Sequence, residues 1–259
     1  MSASNNLLPL LEGEEARQID LHVTEQLGRV RVLEGVATRV ADTLLYHLNL
    51  SAETKFLFVA GKGNNGANAI AAARMLHMRG RNTEVVTLVD PFTAPDKNNN
   101  EKPLRPNVRE QIELYQQFAG NGSLFPLDLE RIRQFNKGGG GGVIVDGILG
   151  TGITDPPRGV SKDAIDAINT ASASPSSTKV LSIDIPSGLN HITGEAPGSC
   201  VQATWTLNLH MIKKGQVQSV AQPYVGELYS AESGLGFSTF PGLEKTFVEF
   251  YKDGPIRKV

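Results

Sequence analysis

The sequence has one cysteine and no long apolar run. Cys200 is the only thiol among 259 residues, so no disulfide can form within the chain, and such usage is typical of a reducing compartment. No apolar stretch reaches the roughly 18 residues that a membrane-spanning helix needs. The sequence therefore predicts neither a disulfide-stapled scaffold nor a membrane partner.

An excess of charge of one sign is also missing. The formal net charge is −2 and the charges are mixed along the chain, which does not indicate binding to nucleic acid or to an anionic membrane. The N-terminus has an acidic cluster at Glu14 and Glu15 and no early arginine, unlike a secretory signal or a transit peptide. We expect a cytoplasmic location, with a mitochondrial pool left open.

Several motifs of metal and hydrolytic chemistry are absent as well. The five histidines are scattered and Cys200 has no cysteine partner, a pattern that does not predict a zinc site. There is no Gly-x-Ser-x-Gly elbow. The glycine-rich turn at Gly61 is not followed by Gly-Lys-Ser/Thr, so it is not a phosphate loop of the P-loop type.

The chain is organised around Phe56–Gly80. An apolar strand, Phe56–Ala60, leads through the turn Gly61–Gly66 into a helix at Ala67–Met78, and small residues recur on one face of that helix. Strand, turn and helix make the first half of a parallel βαβ unit. Hydrophobic residues make up 40% of the chain, enough for a substantial core. We predict one α/β domain over residues 1–259, with an ordered core of about 10–250.

Strands and helices alternate along the rest of the chain. We predict further strands at Glu84–Val89, Leu124–Phe125, Val143–Asp146, Lys179–Ile183 and Trp205–His210, and edge strands at Val217–Val220 and Glu227–Ala231. Further helices are predicted at Leu11–Gly28, Arg31–His47, Asn107–Ala119, Leu127–Phe135 and Ser161–Ala171, the last capped by Ser161. Loops are predicted at Asp90–Pro106, at the glycine run Gly138–Gly142 and at Ser172–Thr178, and the tail Asp253–Val259 is expected to be ordered only by docking.

The turn Gly61–Gly66 spells Gly-x-Gly-x-x-Gly, the dinucleotide fingerprint, between a strand and a helix. Its unusual part is the amide pair Asn64 and Asn65. Amides offer acceptors and donors, which suit ribose hydroxyls or a weakly hydrated cation. A plain Asn/Gly turn remains the alternative.

Polar residues follow three of the predicted strands. Asn64 and Asn65 follow the first, Asp146 ends another, and Asp184 with Ser187 follows a third. Parallel strands end at one edge of a sheet, where open α/β sheets bind ligands. Helix-capping aspartates are the alternative, but the combination favours a site. The loop from Gly150 to Gly159 either wraps a ligand, supplying Thr151 and Arg158, or is a surface crossover.

These segments resemble the YjeF N-terminal domain family. GKGNNGANAIAAARMLHMRG, from residue 61, resembles GxGNNGGDGxxxARxLxxxG; VDGILGTGITDPPRG, from residue 145, resembles VDAxxGTG…RG; and LSIDIPSGLNHITGE, from residue 181, resembles DIPSGxxxxxGE. More weakly, residues 207–215 resemble TFxxxKxG, Gly226-Glu227 resembles a following GE, and VLEGVATRVA, from residue 32, stands where the family has LMENAGRAVA.

The resemblance implies a three-layer αβα sandwich of Rossmann type, often dimeric. The family is best known for NAD(P)H-hydrate epimerase, which interconverts the R and S forms of hydrated NADH and NADPH so that a separate ADP/ATP-dependent dehydratase can repair them. The implied potassium ligands are Asn65, Asp146 and Ser187, and Asp184 is the implied base. The implied substrate contacts are Asn64, Asn65, Gly66, Ala67, Asn68, Gly150, Thr151, Gly152, Ile153, Thr154, Asp155, Pro156 and Asp184.

The chain departs from the family pattern at two places. It has Gly66-Ala67-Asn68-Ala69 for Gly-Gly-Asp-Gly, and Glu34-Gly35-Val36-Ala37 for Glu-Asn-Ala-Gly. Asn68 cannot ionise, and alanine restricts close backbone approach. These changes favour an alternative, a catalytically silent dimerisation or binding scaffold like those the family includes in mRNA decapping. The intact Asn65, Asp146, Asp184 and Ser187 favour the epimerase. A Rossmann-like small-molecule sensor is a third possibility.

Overall fold

The computed structural model describes residues 10–11, 28–90, 104–152, 154–173, 178–234 and 244–259. Within these ranges the strands are β1 Leu10–Leu11, β2 Lys55–Ala60, β3 Thr83–Thr87, β4 Leu124–Pro126, β5 Gly142–Gly147, β6 Thr178–Ile183, β7 Trp205–Leu209, β8 Ile212–Lys213, β9 Glu227–Ala231 and β10 Ile256–Lys258. The α-helices are α1 Arg29–Asp42, α2 Asn64–Met78, α3 Pro106–Ala119, α4 Leu129–Gln134, α5 Gly159–Ser172, α6 Gln222–Val225 and α7 Glu244–Tyr251.

Eight strands form one sheet in the order β10-β9-β7-β6-β5-β2-β3-β4. Neighbours are parallel except β9 and β10, which are antiparallel. The chain enters at β2, runs outward through β3 and β4, returns to β5 beside β2, and then runs to the other edge. The crevice beyond the carboxyl ends of β2 and β5 is therefore a topological switch point, where such sheets bind ligands. A separate parallel pair joins β1 to β8.

Helices cover both faces of the sheet. Phe56, Phe58 and Ala60 of β2 pack in one buried cluster with residues of α1, α2 and α3. Leu57 and Val59 point the other way and pack with residues of α4 and α5. A strand buried on both faces carries a continuous apolar run, as parallel strands do. The predicted three-layer αβα sandwich is confirmed.

The helix after β2 begins earlier than the sequence predicted. α2 starts at Asn64, not Ala67, so both asparagines lie in its first turn. Asparagine favours turns over helix interiors, and for that reason the prediction was wrong by three residues. Gly66 is required there because a Cβ would lie 1.8 Å from the Gly61 carbonyl oxygen. The first turn therefore packs directly against the end of β2.

The predicted second helix is confirmed, with adjusted ends. α1 begins at Arg29 and continues as a π-turn, Thr43–His47. Leu48 completes its buried stripe, whereas His47 is exposed. The helix predicted at Leu11–Gly28 is wrong at Leu11, which lies in β1, and its residues 12–27 lie outside the described residues. Residues 91–103 and 174–177 of the predicted loops also lie outside them.

Three predictions near the C-terminal half are wrong. Val217–Val220 is not an edge strand, because two 3₁₀-helices, Lys214–Val217 and Ser219–Ala221, occupy that stretch. Ser161 is not the cap of α5, which begins at Gly159 after Arg158. β9 is not an edge strand, because the tail supplies β10 beside it. No helix in the described ranges is long and apolar enough to cross a membrane.

Candidate functional site

A cleft of about 870 Å³ lies at the carboxyl edge of the sheet. It extends over the ends of β2, β5 and β6 and reaches the first turns of α1, α2, α3 and α5. Those strands are neighbours, so the three polar clusters that the sequence places at strand ends meet here. The predicted substrate contacts that line the cleft are Asn64, Asn65, Asn68, Gly150, Thr151, Gly152, Asp155, Pro156 and Asp184.

The other predicted site residues lie elsewhere. Gly66 and Ala67 are buried in the first turn of α2, beneath the cleft. Thr154 is exposed beside the cleft and is not part of its lining. Ile153 lies outside the described residues. Asp146 and Ser187 form a buried network below the cleft floor.

Asp146 ends β5 and is completely buried. One carboxylate oxygen accepts hydrogen bonds from the Ser187 hydroxyl (2.6 Å) and the Ile148 N–H (3.1 Å). The other accepts from the Ser182 hydroxyl (2.8 Å) and the Ser187 N–H (2.9 Å). Burial raises the pKa of Asp146, and these four neutral donors oppose the rise. No cationic side chain among the described residues is bonded to this carboxylate.

The Asn65 side chain joins the Asp146 network at Leu149, which Ser187 also contacts. The Asn65 side-chain amide donates to the main-chain oxygens of Leu149 (2.7 Å) and Ile183 (3.0 Å). The Ser187 hydroxyl lies 3.3 Å from the same Leu149 oxygen and accepts from the Leu149 N–H at 2.9 Å. Carbonyls, a hydroxyl, an amide and one carboxylate thus converge on a small volume under the cleft.

Asp184 follows β6 with a φ of +68°, an uncommon conformation for a residue other than glycine. Its carboxylate forms an ion pair and hydrogen bond with Lys213, and both side chains are largely buried. The Lys213 ammonium also donates to Asn208 (3.0 Å) and to the Leu209 carbonyl (2.9 Å). All three N–H groups of the Lys213 ammonium therefore have an acceptor. The Asp184 carboxylate that this ammonium holds lines the cleft.

Lys213 is the functional candidate that our sequence reasoning missed. It lies on β8, far along the chain from Asp184, and the spacing of the two residues gives no sign of contact. Gln216 joins them further, since its amide accepts from the Lys213 N–H (3.0 Å) and donates to the Asp184 carbonyl (2.7 Å). The one available signal was the lysine of TFxxxKxG, in the weakest part of the resemblance.

His210 lies beside this pair on the cleft wall, with a φ of +64°. Its ring bonds to the Ser233 hydroxyl at 2.8 Å. Burial and the nearby Lys213 charge lower the pKa of His210 to about 3. The imidazole is consequently neutral at physiological pH and can act towards a ligand only as a hydrogen-bonding group.

The middle of the cleft suits an anion. The N-cap residues of α2 and α5, Gly63 and Arg158, make no side-chain bond to the first-turn N–H groups. Such N–H groups and the helix dipole attract phosphates. The side chains of Lys62 and Arg105 also line the cleft, and Arg105 donates to the Asn64 amide oxygen at 3.1 Å.

One departure from the family pattern is compensated within the structure. Gly147, at the end of β5, stands where the family pattern VDAxxGTG has alanine, and Ala69 stands where it has glycine. A Cβ on Gly147 would lie 2.5 Å from the Cβ of Ala69. This chain has the methyl group on the helix, where the family pattern has it on the strand, so α2 and β5 keep their close packing.

Gly35 has a similar local reason. A Cβ at this position of α1 would lie 2.3 Å from the Ser233 carbonyl oxygen. The helix therefore packs on the segment after β9, which holds His210 through Ser233. Gly35, which departs from the family pattern, therefore allows close packing behind the cleft wall.

Fold and cleft together define a Rossmann-like α/β domain with a cleft at its switch point. The profile of the family described as YjeF-related protein N-terminus matches residues 30–215. The chain belongs to this family.

Curated relatives cover most of the chain. It is 29% identical over 224 residues to the NAD(P)H-hydrate epimerase of Limosilactobacillus reuteri, covering 86% of this chain and 94% of that protein. It is 30% identical over 226 residues to the NAD(P)H-hydrate epimerase of Levilactobacillus brevis, covering 85% and 92%. It is 31% identical to the bifunctional NAD(P)H-hydrate repair enzyme Nnr of Pyrobaculum aerophilum, covering 86% of this chain and 42% of that protein.

A solved structure shares the fold. The crystal structure of yeast ynu0 superposes with a TM-score of 0.66 at 16% identity, covering 86% of this chain and 88% of that one. At this identity the likeness supports the architecture of the domain.

Proposed function

We propose that this protein is an NAD(P)H-hydrate epimerase, which interconverts the R and S forms of hydrated NADH and NADPH in nicotinamide cofactor repair. The observation that carries the proposal is the Asp184–Lys213 pair, which lines the same cleft as the N-termini of α2 and α5. Relatives named NAD(P)H-hydrate epimerase match most of the chain.

The substrate lies across the carboxyl edge of the sheet. Its diphosphate takes the N–H groups at the starts of α2 and α5, with Lys62 and Arg158 nearby. Asn64 and Asn68 contact the ribose hydroxyls, because a side-chain amide can both donate to and accept from a hydroxyl. The hydrated nicotinamide ring then reaches Asp184 at the end of β6, two strand spacings or roughly 10 Å from β2.

Asp184 is the base in this proposal. The hydrated carbon C6 carries a hydroxyl and the ring nitrogen N1, so it is a hemiaminal. Asp184 takes the hydroxyl proton; the C6–N1 bond breaks as the C6 carbonyl forms, and N1 receives the bonding electrons and the proton from Asp184. Rotation of the aldehyde and the reverse steps close the ring on its other face. Lys213 holds and orients the carboxylate through their ion pair.

We propose that the buried network holds a potassium ion. Its oxygen ligands would be those of the Asn65 side-chain amide, the Asp146 carboxylate, the Ser187 hydroxyl and the carbonyls of Leu149 and Ile183. The Asn65 NH₂ group donates to both carbonyls in the structure, so this amide would turn its oxygen towards the ion. Hard alkali cations take oxygen ligands, and this set carries one negative charge without a cationic side chain among its hydrogen bonds. Bound there, potassium would supply the charge that balances Asp146. Asn65, Asp146 and Ser187 would hold it and fix the loop that begins at Gly150.

We propose a separate ADP/ATP-dependent NAD(P)H-hydrate dehydratase as the partner in the pathway. Relatives named bifunctional repair enzymes support a link between epimerisation and a second repair step, and this chain spans 42% of the length of the one from Pyrobaculum aerophilum. A homodimer and a cytoplasmic location, with a mitochondrial pool as the alternative, complete the proposal. Nucleic acid and membranes are not proposed as partners.

The experiment is an epimerase assay. Purified R-form NADPH hydrate is coupled to an added S-specific dehydratase, with potassium present and then replaced by tetramethylammonium. We expect rapid, potassium-dependent loss of the R form, and a loss of rate of at least about 100-fold in Asp184→Asn, the range for removing a general base. Asp163→Asn, an exposed carboxylate on α5, is the matched control.

Full activity of Asp184→Asn would contradict the base assignment. A folded wild-type protein that leaves the spontaneous rate unchanged would contradict the epimerase proposal. The departure at Asn68, where the family has aspartate, favours the scaffold alternative in that case, and the search would turn to a binding partner.

A further inference from the structure

A second pocket of about 400 Å³ adjoins the cleft, between the first turns of α1 and α3. The two cavities share Arg29, Leu33 and Asn107. Val30, Leu33 and Pro106 provide apolar walls. Val30 is 56% exposed, so a flat apolar group in the pocket would cover a side chain that now faces solvent.

Two residues that line this pocket carry buried amide oxygens without hydrogen-bond partners. Asn107 is 8% exposed and Gln111 is 2% exposed, and both line the pocket. Within the described part of the chain, neither the Oδ1 of Asn107 nor the Oε1 of Gln111 has a partner. The Asn107 amide nitrogen donates to Asn64 at 3.4 Å, which orients the oxygen away from that bond. An unpaired buried acceptor costs stability, so a ligand donor is its natural complement.

The spacing of these residues defines the ligand. Positions i and i+4 lie side by side on one face of a helix, so α3 presents two adjacent acceptors. A primary amino group has two N–H donors. We propose that this pocket is a base subsite, in which an aromatic amino-substituted heterocycle, the adenine of the dinucleotide, donates its exocyclic amino group to Asn107 and Gln111. This inference rests on the proposed dinucleotide substrate.

The position of the pocket agrees with such a ligand. The helix α3 follows β3 on one side of β2, whereas Asp184 follows β6, which lies beyond β5 on the other side of β2. A dinucleotide laid across the carboxyl edge could therefore reach Asp184 with one base and α3 with the other.

The test uses a stable ligand without the nicotinamide ring. Isothermal titration compares ADP-ribose with its hypoxanthine counterpart, inosine diphosphate ribose, which has a carbonyl in place of the amino group. In the wild-type protein we expect ADP-ribose to bind about tenfold more tightly, because two neutral hydrogen bonds are lost in the counterpart. Gln111→Met and Asn107→Leu should each reduce this ratio. Gln117→Met, an exposed glutamine on the same helix, should keep it.

Stability gives a second measurement. Because Gln111→Met removes a buried acceptor without a partner, its melting temperature should equal or exceed that of the wild type while base discrimination falls. Equal binding of the two ligands by the wild type, or discrimination unchanged in both variants, would overturn the inference. The epimerase assay with hydrated NADPH separates the two proposals, since activity without base discrimination contradicts only this subsite, and discrimination without activity contradicts only the epimerase.

Discussion

At the scale of single residues, Asp146 defines the most demanding position. Its carboxylate is fully buried, and its four hydrogen bonds come from hydroxyls and main-chain N–H groups. Burial opposes ionisation there and raises the pKa of Asp146. The desolvation cost of a buried carboxylate is offset where a bound cation balances its charge.

We expect potassium to stabilise the folded protein through Asp146. Replacing tetramethylammonium by potassium at constant ionic strength should raise the melting temperature, by roughly 2–4 °C for each kcal/mol of binding in a chain of this size. Asp146→Asn should abolish the shift, and Asp163→Asn should keep it. Differential scanning fluorimetry measures these melting temperatures. Equal shifts in Asp146→Asn and the wild type would contradict a cation site at Asp146.

The Asp184–Lys213 pair permits a sharper test. Lys213→Met leaves a largely buried carboxylate without its cation, which should cost about 3–5 kcal/mol of unfolding free energy. Asp184→Asn leaves the Lys213 ammonium, whose side chain is 8% exposed, without its anion and should cost a similar amount. In the double variant most of either penalty should vanish, because no charge is left unpaired. Urea unfolding of the four proteins measures the coupling, and additive losses would show that the pair is not energetically linked.

The sequence predicted part of this site. Asn65, Asp146, Asp184 and Ser187 lie at strand ends within local motifs, and the rule that parallel strands end at one edge was enough to bring them together. Lys213 escaped because its contact with Asp184 depends on how β8 and the following 3₁₀-helix fold back, which Gln216 fixes through bonds to both residues. Side-chain bonds of this kind have no sequence period.

At the scale of elements, α2 packs on the central strands through small residues. Ala69, Ala72 and Ala73 are fully buried, and Gly147 accepts the methyl group of Ala69 with no room for a second. Position 69 of the helix and position 147 of the strand therefore form one steric unit. The sequence showed the small face of α2, but the partner position became visible only when β5 was placed beside β2.

We expect a strong coupling between these two positions. Gly147→Ala should destabilise the protein by about 1–3 kcal/mol, the usual range for overpacking. Ala69→Gly alone should cost about 1 kcal/mol through helix propensity. The double variant should be more stable than Gly147→Ala, because the methyl groups no longer collide. Urea unfolding gives the cycle, and a double variant as unstable as the sum of its parts would contradict the steric account.

Other element predictions failed for local reasons. Val217–Val220 has the β-branched residues of a strand, yet its backbone turns as 3₁₀-helices, because the Gln216 side chain anchors the segment to Asp184 and Lys213. The sequence predicts too late a start for α2, because two asparagines and a glycine resemble a turn. Tertiary bonds and close packing overrode propensity in both cases.

At the scale of the whole molecule, the alternation of strands and helices predicted the parallel αβα core, but not its far edge. That edge is made by β10, which pairs antiparallel with β9 and places Ile256 in the core at 6% exposure. The preceding helix α7 supplies Tyr251, whose hydroxyl bonds to the His210 carbonyl at 2.7 Å. The tail is short and polar, so it has no hydrophobic periodicity that would predict its pairing with β9.

The tail should therefore support both stability and solubility. Removal of residues 254–259 would expose the edge of β9, a template for pairing between chains, and would remove the burial of Ile256. We expect a loss of about 2–4 kcal/mol in unfolding free energy and aggregation visible by light scattering.

Ile256→Ala should reproduce much of the stability loss while keeping the β10 ladder. Lys258→Ala, which removes an exposed ion pair with Glu227 and a cation–π contact with the Tyr229 ring, should change stability by about 1 kcal/mol or less. A truncated protein that stays monodisperse and as stable as the full chain would show that β10 is dispensable to the sheet.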